Sequence, residues 1–73
     1  MSLAHINIRK AAPVEVRKVK NALLALNGVN DATVDLMLSE IRVEFADELV
    51  NLNQLRKTVN AAGIDVLSDW KEY

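Results

Sequence analysis

Apolar and polar residues alternate from His5 to Arg9, with Ile6 and Ile8 on one side and His5, Asn7 and Arg9 on the other. That period of two predicts a half-buried strand. After a short loop at Lys10 to Ala12, Pro13 suits the first position of a helix, where its missing N–H costs nothing. Val16, Val19, Leu23 and Leu26 then recur at spacings of three, four and three, which is one apolar stripe of a helix. Asn27-Gly28 closes it, with the glycine free to take the left-handed conformation of a helix end. Asn30 to Leu36 alternates again, with Ala32, Val34 and Leu36 on one side. Glu40 to Phe45 alternates with Ile41, Val43 and Phe45 inward. The tight connection at Met37 to Ser39 joins these two runs as a hairpin. Asp35 and Arg42 fall on its outer face and are expected to pair, a contact of roughly 0.2–1 kcal/mol.

Asn51 has the character of a helix cap. Gln54, three residues on, can reach back to it, and Val50 can pack on Leu55 as a hydrophobic staple. The stripe of this second helix is Leu52, Leu55, Val59 and Ala62, ended by Gly63. Ile64-Asp65-Val66 reads as a short last strand, and Ser68 to Tyr73 as a polar tail carrying Trp70 and Tyr73. The order is strand, helix, strand, strand, helix, strand, with one apolar face on each element. Packing both helices on one face of a four-stranded antiparallel sheet buries all of these faces. Right-handed crossovers then give the α+β, ferredoxin-like β-α-β-β-α-β arrangement. One domain is expected over 1–73, with its core at 5–67 and a tail at 68–73. His5, Asn7, Arg9, Thr33, Asp35, Arg42 and Glu44 would line the outer, water-facing side of the sheet.

Composition narrows the possibilities. The chain has 73 residues, 51% of them hydrophobic, which suffices for one core near the lower size limit for unaided folding. It has no cysteine, so neither a disulfide nor a thiolate metal site can form. A net charge of -1 argues against nucleic acid as a partner. No apolar run approaches the roughly 18–20 residues of a membrane span. Met1-Ser2-Leu3-Ala4 has no basic stretch leading into an apolar one, so a cytoplasmic protein without a signal peptide is expected.

Leu26-Asn27-Gly28-Val29, Val34-Asp35-Leu36 and Ala61-Ala62-Gly63-Ile64-Asp65-Val66, in this element order, resemble the heavy-metal-associated domain over roughly residues 5 to 67. That family comprises small copper chaperones, mercury-binding periplasmic proteins and N-terminal modules of metal-pumping ATPases. The resemblance implies a metal loop before the first helix, where the family carries Met-x-Cys-x-x-Cys. Counting back from Gly28 puts the two cysteine positions at Ala12 and Glu15. The loop is about one residue shorter than usual in the family, so Glu15 is the firmer match. Arg9 and Lys10 stand near the place of the family's Gly-Met. Copper(I) prefers soft thiolate ligands. Ala12 offers none, and Glu15 offers a hard oxygen beside two cations. No metal and no cofactor is therefore expected.

Several residues admit two readings. Glu15 is a helix-start carboxylate favoured by the macrodipole, worth about 0.3–1 kcal/mol, or a ligand or partner contact. His5, far along the first strand from the metal loop, is expected as a surface histidine. Met37 is expected to be partly buried against Ile64. Arg9, Lys10, Val14, Glu15, Met37 and Ile64 together form a candidate interaction surface. The basic residues Arg9, Lys10, Arg17, Lys18 and Lys20 read as a solvated face, with docking on an anionic partner surface as the alternative. Trp70 and Tyr73 belong either to an interaction tail or to a lid over the helix–strand end.

Three function classes stay open. The first is a heavy-metal-associated-like relative of metal-transport proteins, unable to hold copper(I) through thiols and serving in protein interaction or regulation. Its partner would be another protein, such as a metal-transporting ATPase or a second copy. The second is a carrier with non-thiol ligands including Glu15. The third is a dimeric, small-molecule-binding regulatory domain. An enzyme is not expected: there is no Cys nucleophile, no partner arrangement for the single His and no phosphate-cradling glycine loop. RNA binding on the sheet would need outward aromatics on central strands, and Phe45 points inward.

Overall fold

Six elements follow one another in the computed structural model, which describes residues 1–72: β1 (Ser2–Ile8), α1 (Pro13–Leu24), β2 (Val29–Asp35), β3 (Glu40–Phe45), α2 (Leu52–Ala61) and β4 (Val66–Glu72). The sheet order is β2-β3-β1-β4 with every neighbouring pair antiparallel. This is the expected β-α-β-β-α-β order. Inward positions alternate strictly along β1, where Ala4, Ile6 and Ile8 are buried and Leu3, His5 and Asn7 face out. Val19 and Leu23 of α1 and Leu55 and Val59 of α2 close over Ile41, Val43 and Phe45. Burying side chains of this size contributes roughly 1.5–3 kcal/mol each, which is what holds a chain without disulfides.

The second helix starts as read. Asn51 Oδ1 accepts from the Gln54 N–H at 2.9 Å, and Gln54 Oε1 accepts from the Asn51 N–H at 2.9 Å. Val50 and Leu55 both lie in the core. Arg42 Nη2 donates to Asp35 Oδ2 at 3.2 Å. Gly28 has φ of +104°, and a Cβ there would stand 2.7 Å from Leu49 Cβ, so both conformation and space require glycine.

The ends of elements differ from the sequence reading. β1 begins at Ser2 rather than His5, and α1 stops at Leu24 rather than running to Gly28. The largest correction concerns residues 64–72. Ile64 is not in a strand; it is a core residue, 3% exposed. Residues 66–72, read in part as a tail, form the edge strand β4 paired to β1. The tail reading failed because the inward positions of β4 are charged. Asp69 lies 3.8 Å from Arg56 of α2, and Lys71 Nζ donates to Asp47 Oδ1 at 2.9 Å. Inward charges on an edge strand hide its period while guarding the edge against further pairing. Trp70 is consequently on the sheet's outer face rather than on an interaction tail or a lid; Tyr73 lies outside the described residues. No helix among the described residues is long and apolar enough to cross a membrane.

Candidate functional site

Two backbone hydrogen bonds assemble one end of the molecule. The Ile8 N–H donates to the Ser39 carbonyl at 2.9 Å, and the Arg9 N–H donates to the Asp65 carbonyl at 3.1 Å. The loop before α1 therefore runs between the β2–β3 turn and the α2–β4 connection. Pro13 opens α1 at its first turn, and Ala12 is the capping residue in extended conformation. Its methyl has no acceptor, so only half of a capping box exists. That half is Glu15, whose Oε1 accepts from the Ala12 N–H at 2.9 Å. The other oxygen, Oε2, lies 3.7 Å from where a Cβ on Gly63 would stand. Ala12 and Glu15 are thus brought together, and the carboxylate is directed at backbone. Among the described residues, no group of three or more His, Cys, Asp or Glu side chains could hold a metal ion.

Around this helix start the surface is apolar with a basic margin. Val14 is 61% exposed, and Leu36, Met37 and Leu38 are exposed in succession. Asp35 Oδ1 accepts from the N–H groups of Met37 and Leu38 at 3.0 and 3.1 Å, which fixes the turn and leaves the two side chains outside. Met37 is 96% exposed. The expected packing of Met37 on Ile64 does not occur, because Ile64 turns into the core. Ile64 accordingly drops out of the accessible surface, while Arg9, Lys10, Val14 and Met37 remain on it and Glu15 is half-buried. Arg9 Nε lies 3.6 Å from Asp65 Oδ2, both well exposed, a pair of little energetic weight. Arg17, Lys18 and Lys20 are exposed along α1.

His5 is where sequence reasoning missed most. It is no bare surface residue: its side chain is 12% exposed, between Glu40 of β3 and Glu72 of β4. The Trp70 ring stacks on it at 4.1 Å between centroids and 10° between planes. The Glu72 carboxylate, helped by Glu40, raises the His5 pKa above its ordinary 6.5 against the opposing effect of desolvation. Asp47, bonded by the Ser2 hydroxyl and the Lys71 ammonium, is held below the usual carboxylate range. Reading residues 68–72 as a strand would have placed Trp70 opposite His5 and revealed the pair.

The sequence profile described as the heavy-metal-associated domain matches residues 15–65. This chain belongs to that family. The profile match starts at Glu15, the second of the two positions counted back from Gly28, and leaves Ala12 outside it. Heavy-metal-associated relatives include the copper chaperone CopZ of Staphylococcus haemolyticus (strain JCSC1435), 38% identical over 48 residues that make up 66% of this chain and 71% of that protein. Copper chaperones CopZ from two Staphylococcus epidermidis strains match to the same extent. Among solved structures, a CopZ metallochaperone superposes with a TM-score of 0.83 at 24% identity, over 89% of this chain and 98% of that one. A copper-binding domain from HMA7, a P-type ATPase, gives 0.82 at 24%, over 94% and 97%. Oxidized MerP from Ralstonia metallidurans CH34 gives 0.76 at 19%, over 93% and 100%. At these identities the superpositions establish the heavy-metal-associated fold, and the CopZ relatives link the chain to copper chaperones.

Proposed function

We propose that this heavy-metal-associated domain does not take up copper(I) at its helix start and acts instead as a protein-interaction or regulatory module. The observation that carries the reading is the Ala12–Glu15 contact. These are the positions matched to the family's two cysteines. One holds a methyl group. The other holds a carboxylate that is already spent on the Ala12 N–H. Copper(I) needs soft donors, and the chain has no cysteine anywhere. The exposed apolar residues Val14 and Met37, beside Arg9 and Lys10, supply a contact surface of the kind that docks on an apolar patch with acidic margins. The candidate partners are a metal-transporting ATPase, since relatives include a P-type ATPase domain, or a second copy of the chain. The place of action is the cytoplasm.

A carrier using Glu15 for a harder divalent ion is the second reading. It needs two more donors beside Glu15, and no such cluster exists among the described residues. Titration of the wild-type chain with copper(I) under anaerobic conditions, and separately with zinc(II), followed through the backbone amide signals of residues 10–15, tests both readings. The module reading expects no saturable one-to-one shift with either ion. Saturation by copper(I) overturns it, and saturation by zinc(II) alone selects the carrier.

A further inference from the structure

The outer face of the sheet carries an assembly unconnected with the helix start. His5 of β1 stands opposite Arg42 on one side and Trp70 on the other. The charged groups facing it are Glu40, Arg42 and Glu44 of β3 and Glu72 of β4, with Asp35 of β2 behind Arg42. Both of its ring nitrogens meet carboxylate oxygens: Nδ1 is 3.2 Å from Glu40 Oε1, and Nε2 is 2.7 Å from Glu72 Oε2. An ionised carboxylate only accepts, and a neutral imidazole has a single N–H to give. Only the imidazolium satisfies both contacts.

The two carboxylates are not equivalent. The Glu40 side chain is 18% exposed and lies 3.3 Å from Arg42 Nε, so it has a fixed place and little access to water. The Glu72 side chain is 53% exposed and can turn into solvent. When His5 loses its proton, the remaining N–H is worth most at Nδ1, against the carboxylate that cannot hydrate. The lone pair then left on Nε2 faces Glu72 and repels it.

The geometry points to a proton-operated clasp, in which protonated His5 ties the edge strand β4 to β1 and β3 through Glu72, and deprotonation releases Glu72 and loosens the outer side of β4 around Trp70. The release is local. On the inner side Lys71 stays bonded to Asp47 at 2.9 Å, and that carboxylate, held below its usual range, remains ionised at neutral pH.

Trp70 is the chain's one tryptophan, so its emission reports this site alone. The test is a pH titration from 5 to 9 of the whole chain, following the His5 ring protons, Trp70 emission and amide hydrogen exchange corrected for its intrinsic pH dependence. The expected result is a His5 titration above 6.5 with Trp70 emission changing in the same step. Exchange protection of residues 68–72 should fall through that step by about tenfold for each unit by which His5 titrates above its ordinary value. Glu72→Gln should move the titration toward 6.5 and remove the step, because an amide can turn to suit a neutral ring. Glu40→Gln, which still accepts from Nδ1, should keep it. The proposal is overturned if His5 titrates at or below 6.5, if residues 68–72 show no step, or if the step survives Glu72→Gln.

Discussion

The two helix starts occupy equivalent places in the two β-α-β halves, yet they are built differently. At α2 the box is complete: Asn51 and Gln54 exchange two hydrogen bonds of 2.9 Å, and Val50 packs into the core beneath. At α1 only Glu15 reaches back, and Ala12 returns nothing. A start selected only for helix stability would carry Ser, Thr, Asp or Asn at the capping position. The α1 start is instead flanked by exposed Val14 and Met37. The difference shows that helix capping alone does not account for the side chains at the α1 start. Pro13, the Glu15 half of the box and the packing of Val19 and Leu23 hold α1 without a side-chain acceptor at Ala12.

Substitutions at the two caps sharpen this contrast. Asn51→Ala should show the largest effect, a loss of about 1–2 kcal/mol in denaturant unfolding, because it removes a cap that is in use. Ala12→Asn should raise stability by about 0.5–1.5 kcal/mol in the same assay, by adding the missing acceptor for the Glu15 N–H. Should Ala12→Asn prove neutral or harmful, the α1 start is not merely uncapped and the comparison breaks. Glu15→Ala should cost less, about 0.3–1 kcal/mol, losing the carboxylate at the positive end of the helix and its bond to Ala12.

The smallest effects are those of pH, and they come from the sheet. His5 has a raised folded pKa, so its contribution is fully present below about 6.5 and is lost as pH rises through the raised value. Asp47 has a lowered one, so its contribution is present above the ordinary aspartate value and is lost as pH falls through the depressed value. Thermal unfolding against pH should therefore decline on both sides of a mildly acidic maximum. Replacing His5 by Gln should flatten the alkaline side only.

Much of this molecule is written in local pattern. The stripe Val19-Leu23, the alternation Ile41-Val43-Phe45, the box at Asn51 and the Asp35–Arg42 pair all follow from neighbours within seven residues in the chain. Where the determining contact is distant, the pattern was silent. Asp69 and Lys71 take inward positions because Arg56 and Asp47 await them, which no period of two reveals. Met37 remains outside because Asp35 fixes its turn and Ile64 is already committed to the core. His5 acquires its partners only once β3 and β4 flank β1. At the helix start, the residues alone sufficed to show that no soft donor stands at Ala12 or Glu15; how Glu15 uses its carboxylate required the fold.

The proposed absence of copper(I) capture turns on the side chains at those two positions, on a backbone with the heavy-metal-associated fold. Its most direct measurement sets the wild-type chain beside the double variant A12C/E15C, each competing anaerobically for copper(I) against a chromogenic chelator. Two thiolates at a helix N-terminus supply a soft donor pair, so the variant should withdraw one copper per chain while the wild type leaves the chelator fully loaded. A wild-type chain that strips copper as well as the variant does, or a variant that strips none, would contradict it.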